Sequence, residues 1–176
     1  MMTTIWRFLK VFTLGTWLGG MIFFGFVAGE LFSQLKSQDE AGNIVGILLS
    51  GLHIFGIVAA IVFLIVALVA ARSWRGLVQP ASILVGLMLL VTLVSQVWIM
   101  PTMDHLRTQM GSYASTAATS PLRQQFDHLH VLSVRLETGV LILGIIALIL
   151  AVAQKAPRLA AASASGAMPV ESPSIK

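Results

Sequence analysis

The sequence predicts an all-α integral membrane protein, a four-helix transmembrane bundle. Three observations carry this. Of 176 residues, 57% are hydrophobic and only 10% charged, against roughly 25% charged in soluble domains. Four apolar segments recur, at about Val11 to Gly29, Ile44 to Ala71, Ile83 to Met100 and Val131 to Ala153. Each is close to or above the ~20 helical residues that cross ~30 Å of hydrocarbon. None alternates apolar and polar residues as a barrel strand does, and backbone groups in lipid must be satisfied within a helix or a closed barrel.

The first helix is expected at about 8–30, behind Arg7 and Lys10. A basic start and the small residues "VAG" at Val27 to Gly29 resemble a cleaved signal peptide. However, the apolar stretch exceeds the usual ~7–15 residues and carries bulky Trp17, Phe23, Phe24 and Phe26, which predicts a retained helix. Gly15 and Gly19 are four apart, as are Thr16 and Gly20. Such spacing lets helix backbones approach closely, so Gly15, Gly19 and Gly20 are expected to pack against a neighbour.

The second helix is expected at 44–71 and the third at 81–100, joined by the short turn "RSWRGLVQP". Pro80 opens the third helix, where its missing N–H does no harm. Trp74 and Trp98 fall near segment ends, where amphipathic rings favour the headgroup zone. The connection from Pro101 to Phe126 is long; "PTMDHLRTQMGSYA" reads as a short surface helix, and Ser120 before Pro121 as the start of the fourth, expected to span 128–153. Residues 1–155 thus form the membrane domain. The Ala/Ser/Pro-rich tail at 156–176 is expected to be disordered.

Basic residues set the orientation. Arg7 and Lys10, Arg72 and Arg75, and Lys155 and Arg158 fall on one side, while Lys36, Arg107 and Arg123 on the other are balanced by acids. Both termini are therefore expected in the cytoplasm, with the bacterial inner membrane as the site. The net charge of +4 sits beside apolar runs rather than in a stripe, which argues against nucleic acid. There are no cysteines, so disulfides and thiolate chemistry are excluded.

The informative residues are ionisable groups inside the spans, each costing ~2.5–3.5 kcal/mol at the bilayer centre on insertion scales. His53, Arg135 and Glu137 lie about 13 Å into their helices at ~1.5 Å per residue, all in the outer half. Gln96 is shallower, and Glu30 ends the first helix on the same side. Together they suggest one outer polar vestibule. Helix phase puts His130, Ser133 and Glu137 on one face, whereas Arg135, two residues from Glu137, projects elsewhere. Glu137 should find its partner across the bundle, with His53 and Gln96 the candidates. Arg135 is left to pair with Glu30 or Asp104, or to snorkel outward. The plainer alternative is a satisfied polar network that fixes helix register.

Several stretches resemble a known family. "TWLGGMIFFGFVAGELFSQL", "QVWIMPTMDHLR" and "PLRQQFDHLHVLSVRLE" are similar to the transmembrane protein 205-like family, whose bacterial members are described as domain of unknown function 4149. The resemblance covers roughly residues 8 to 153 and rests on Trp17 and Gly19, Leu31 and Phe32, Pro101 and Arg107, then Phe126, His130 and Ser133. It implies a four-helix integral membrane protein without an assigned chemistry.

Three functions follow as expectations. The first is a module that binds or transports a proton, ion or small molecule. The second is a structural bundle that assembles with itself or another membrane protein through its glycine faces. The third is a haem or metal protein using His53 and His130, although their ~9 Å difference in depth makes shared ligation awkward. No nucleophile triad, phosphate loop or dinucleotide fingerprint is present, which disfavours an enzyme acting on soluble substrates.

Overall fold

The computed structural model describes residues 2–153, with side chains from Thr4 onward; the tail expected to be disordered lies outside the described residues. Among the described residues there is no strand. Helix α1 spans Met2–Gln34, α2 Gln38–Ala71, α3 Pro80–Val94, α4 Met100–Met110 and α5 Pro121–Ala153. Four helical stretches among the described residues are long and apolar enough to cross a membrane: Thr4–Gln34, Gln38–Ala71, Pro80–Met110 and Pro121–Ala153. In space they run in the cyclic order α1, α2, α3, α5, each bordering its two neighbours, and α4 lies against α5.

The turns follow from local chemistry. Ser37 caps α2, accepting from the Glu40 N–H at 3.2 Å, and Asp39 and Glu40 occupy the first turn, where the helix dipole favours negative charge. At the other end Arg72 closes α2 in the left-handed region, φ 49°, and a single 3-10 turn, Trp74–Gly76, leads to α3. Gly76 is forced by space: a Cβ there would lie 2.8 Å from the Ala67 carbonyl carbon. Ser82 then donates to the Gly76 carbonyl at 2.8 Å. Across the same end Arg7 donates to the Val152 carbonyl, joining α1 to α5.

The third span differs from its expectation. It does not stop at Pro101 in favour of a separate surface helix; helical structure continues to Met110, and the irregular connection shrinks to residues 111–120. A π-helical segment, Ser95–Ile99, precedes the proline, and the Met100 N–H bonds to the Ser95 carbonyl. Proline lacks an N–H and crowds the carbonyl four residues back. Widening the preceding turn absorbs both faults, so the helix survives its proline.

A dry core fills the half of the bundle nearer the α2–α3 turn. It comprises Leu14, Trp17, Leu18 and Met21 from α1, Ala59, Ala60 and Phe63 from α2, Ala81, Val85 and Met88 from α3, and Val140, Ala147 and Ala151 from α5. The outer surface is the apolar one: Phe23, Phe26, Val97 and Ile149 are all at least 60% exposed, as lipid contact requires. The Trp74 and Trp98 rings are exposed too.

The glycines that admit close approach are not the expected set. Gly20 does meet α2, where an added Cβ would stand 3.3 Å from Leu52 Cδ1. At Gly15 and Gly19 a Cβ would meet nothing within 4 Å. The inward stripe of α1 is Leu14, Trp17, Leu18 and Met21, at i, i+3, i+4 and i+7, which turns those two glycines off the interface. The tight positions are Gly56, whose Cβ would enter the Trp17 indole at 2.6 and 2.8 Å, and Gly144, which faces Leu18 and Met88.

Candidate functional site: a buried histidine–glutamate pair

Above the dry core, three helices present polar or small residues to one seam. On α2, Gly42, Gly46, Ser50 and His53 follow at spacings of four, four and three, and on α5, Phe126, His130, Ser133 and Glu137 at four, three and four. Each set lies along one side of its helix. Gln96 joins them from the π segment.

The centre is His53, 1% exposed. Its Nε2 is 2.6 Å from Glu137 Oε1, and its Nδ1 is 3.0 Å from Gln96 Oε1. Gln96 Nε2 in turn donates to Ser50 Oγ at 2.9 Å. The Glu137 side chain is 20% exposed. One chain of hydrogen bonds therefore runs Glu137, His53, Gln96, Ser50 and ties α5, α2 and the third span together. Of the two partners expected for Glu137, His53 meets it directly and Gln96 holds the far side of the same imidazole. Ser50 was not singled out by the sequence. Its position three residues before His53 on the same helix face was the available signal. Ser95, beside Gln96, is fully buried and its hydroxyl has no partner among the described residues.

The other expected pocket residues do not converge here. Ser133 is buried one turn before Glu137 on its face. His130 is exposed, its ring parallel to that of Phe126 at 6.4 Å between centroids. Glu30 is exposed and takes the Ser33 hydroxyl at 2.7 Å. Arg135 is exposed; neither Glu30 nor Asp104 forms an ion pair with it, and among the described residues His53–Glu137 is the only such pair. Arg135 instead lines a shallow depression on α5 with Asp127, His128, Val131 and Leu132, and a second depression follows α1 from Phe26 to Leu35. The single outer vestibule is thus replaced by a packed seam and two separate surface grooves. For Arg135 the reason is phase: two residues of separation turn it about 200° from Glu137.

A cap closes the seam at the α1–α2 end. The Arg107 guanidinium lies on the backbone of α2, where a Cβ on Gly42 would stand 3.2 Å from Nη2 and one on Gly46 3.7 Å from Nη1. It also lies over the Phe126 ring, 5.5 Å from the centroid. Phe126 packs against Tyr113 at 5.5 Å, and Arg123 covers the other aromatic at 4.2 Å. Tyr113 donates its hydroxyl to Asp127 at 2.9 Å. Asp39 accepts from Ser112 Oγ at 2.6 Å and from the Tyr113 N–H at 2.7 Å, which pins the 111–120 loop to the start of α2. The pairing of Asp39 with Tyr113 went unnoticed in the sequence because it spans more than seventy residues.

The resemblance motifs separate by position. Trp17, Phe126 and Arg107 are packing elements of the core and cap, Pro101 sits after the π segment, and Gly19 and Phe32 face outward. For a metal, no three His, Asp or Glu side chains converge among the described residues. For haem, both His53 nitrogens are already bonded.

No curated protein and no solved structure matches the chain. A family described as a domain of unknown function (DUF4149) matches residues 12–112, which take in His53, Gln96, Ser50 and Arg107 but stop before Glu137. Covering more than half of the chain on a bundle of four membrane-length helices, that match makes this protein a member of the DUF4149 family.

Proposed function

We propose that this membrane protein binds a proton at the His53–Glu137 pair and handles it as part of a proton-coupled transport module. The observation that carries the reading is the 2.6 Å contact between a fully buried imidazole and a carboxylate from another helix. An acid at that depth is costly unless it is paired, and a paired His and Glu can hold or release a proton without moving the backbone. That both imidazole nitrogens already have hydrogen-bond partners supports a proton over a metal as the ligand. Basic residues at Arg7, Lys10, Arg72 and Arg75 support termini in the cytoplasm of a bacterial inner membrane, with the pair in the outer half. The likeness to the transmembrane protein 205-like family rests on the quoted motifs and adds no chemistry.

The test is proton flux into liposomes containing the purified protein, read by an internal pH dye. Glu137→Gln keeps the size and a hydrogen bond but removes the ionisable group, so flux should fall to the level of empty liposomes while the fold survives. A second reading is a structural clasp, favoured by the way one hydrogen-bond chain joins three helices. Wild type and Glu137→Gln with equal flux, but a lower unfolding temperature for the variant, would establish the clasp instead.

A further inference from the structure

We infer that Gln96 sets how many protons the His53–Glu137 pair holds, its side-chain amide turning end for end as the pair loads and unloads. This rests on the proton-binding reading above. A neutral imidazole has one donor nitrogen and one acceptor nitrogen. Here both nitrogens face oxygens, Nε2 that of Glu137 and Nδ1 that of Gln96. With the amide oxygen turned to the ring, Nδ1 carries the hydrogen and donates it to the amide. A second proton is shared between Nε2 and the carboxylate, on one or the other. The pair in this arrangement is loaded and has no net charge.

When one proton leaves to water, the pair holds a single proton and one negative charge. That proton stays on Nε2, directed at the carboxylate, and Nδ1 becomes a bare lone pair facing the amide oxygen. Two acceptors then oppose each other. A half-turn of the Gln96 amide removes the conflict: its Nε2–H donates to Nδ1 and its oxygen turns to Ser50. The torsion involved is broad and roughly two-fold, so the turn needs little side-chain movement. Ser50 is suited to both states, because a hydroxyl accepts in the first and donates in the second. Alanine would answer neither.

Among the described residues no other titratable group faces the ring. In α1 there is none between Lys10 and Glu30, in the third span none between Arg75 and Asp104, and in α2 His53 stands alone between Glu40 and Arg72. From α5 the facing group is Glu137, while Arg135 and His130 are exposed. The amide is thus the one neighbour, besides Glu137, that can register the proton.

The experiment is a pH titration by solid-state NMR of the full chain in lipid bilayers, with nitrogen-15 in histidine and glutamine side chains. In the wild type, Nδ1 of His53 should lose its proton while Nε2 keeps one, and the Gln96 amide signal should move at the same midpoint. Gln96→Glu, which offers oxygens only, should keep the site loaded down to about tenfold lower proton concentration. Gln96→Met should leave His53 titrating, with the neutral Nδ1 at the resonance of an unbonded nitrogen. A Gln96 signal that stays fixed through the His53 transition, or a Gln96→Glu site that loads at the wild-type pH, overturns the inference and leaves the proton reading standing. A His53 ring that never titrates removes the proton reading and this inference with it.

Discussion

The two halves of the bundle are built on different physics. Toward the α2–α3 turn, the core is dry and tightly fitted, with Trp17, Phe63, Val85, Met88 and Ala147 buried and small residues where helices cross. Toward the α1–α2 turn, the interior holds a histidine, a glutamate, a glutamine and serines, roofed by arginines on aromatic rings. In lipid there is no hydrophobic drive between helices, so close packing and hydrogen bonds must hold them. One half uses the first and the other the second. The difference teaches where to look for stability and where for chemistry, because a polar seam is retained in a membrane at a cost.

The strongest way to break this division is Trp17→Ala. Removing the ring that fills the approach to Gly56 should cost about 3–5 kcal/mol, measured by reversible unfolding in mixed micelles. In the surviving folded fraction the His53 hydrogen bonds should be unchanged. Loss of the histidine signature along with stability would mean the halves are one cooperative unit. Next is Gly56→Ala, whose new methyl has no room beside the indole; overpacking of this kind costs about 1–3 kcal/mol. A stability equal to wild type would show that the α1–α2 crossing is looser than drawn.

Asp39→Ala sharpens the comparison from the polar side. It removes the acceptor for Ser112 and the Tyr113 N–H, so about 1 kcal/mol should be lost. Protease cleavage should rise within residues 111–120 and nowhere in the dry half. The smallest effect is expected at Gly15→Ala and Gly19→Ala, which meet nothing within the chain. Each should be neutral or stabilising by up to about 1 kcal/mol. A large loss at either one, dependent on protein concentration, would reveal that this face of α1 packs against a second copy.

Much of the candidate site was legible in one dimension. The face shared by His130, Ser133 and Glu137 and the separation of Arg135 from Glu137 are both consequences of helix phase. What was not legible is which helix faces which. Gly15 and Gly19 had the spacing of an interface and lie off it, while Gly56 and Gly144, isolated in the sequence, bear the closest approaches. Likewise Pro101 read as a stop, and only the π segment before it shows how the helix continues.

The sequence by itself determined the number of spans and the presence of costly ionisable groups within them. Those are local properties, set by how many consecutive residues tolerate hydrocarbon. The tertiary structure decided the rotation of each helix about its own axis, and with it the pairing of Glu137 with His53 and the exposure of Arg135. A soluble helix announces its inner face by amphipathicity. In a membrane both lipid and core are apolar, so that signal fades, and only packing against three neighbours chooses the face that turns inward.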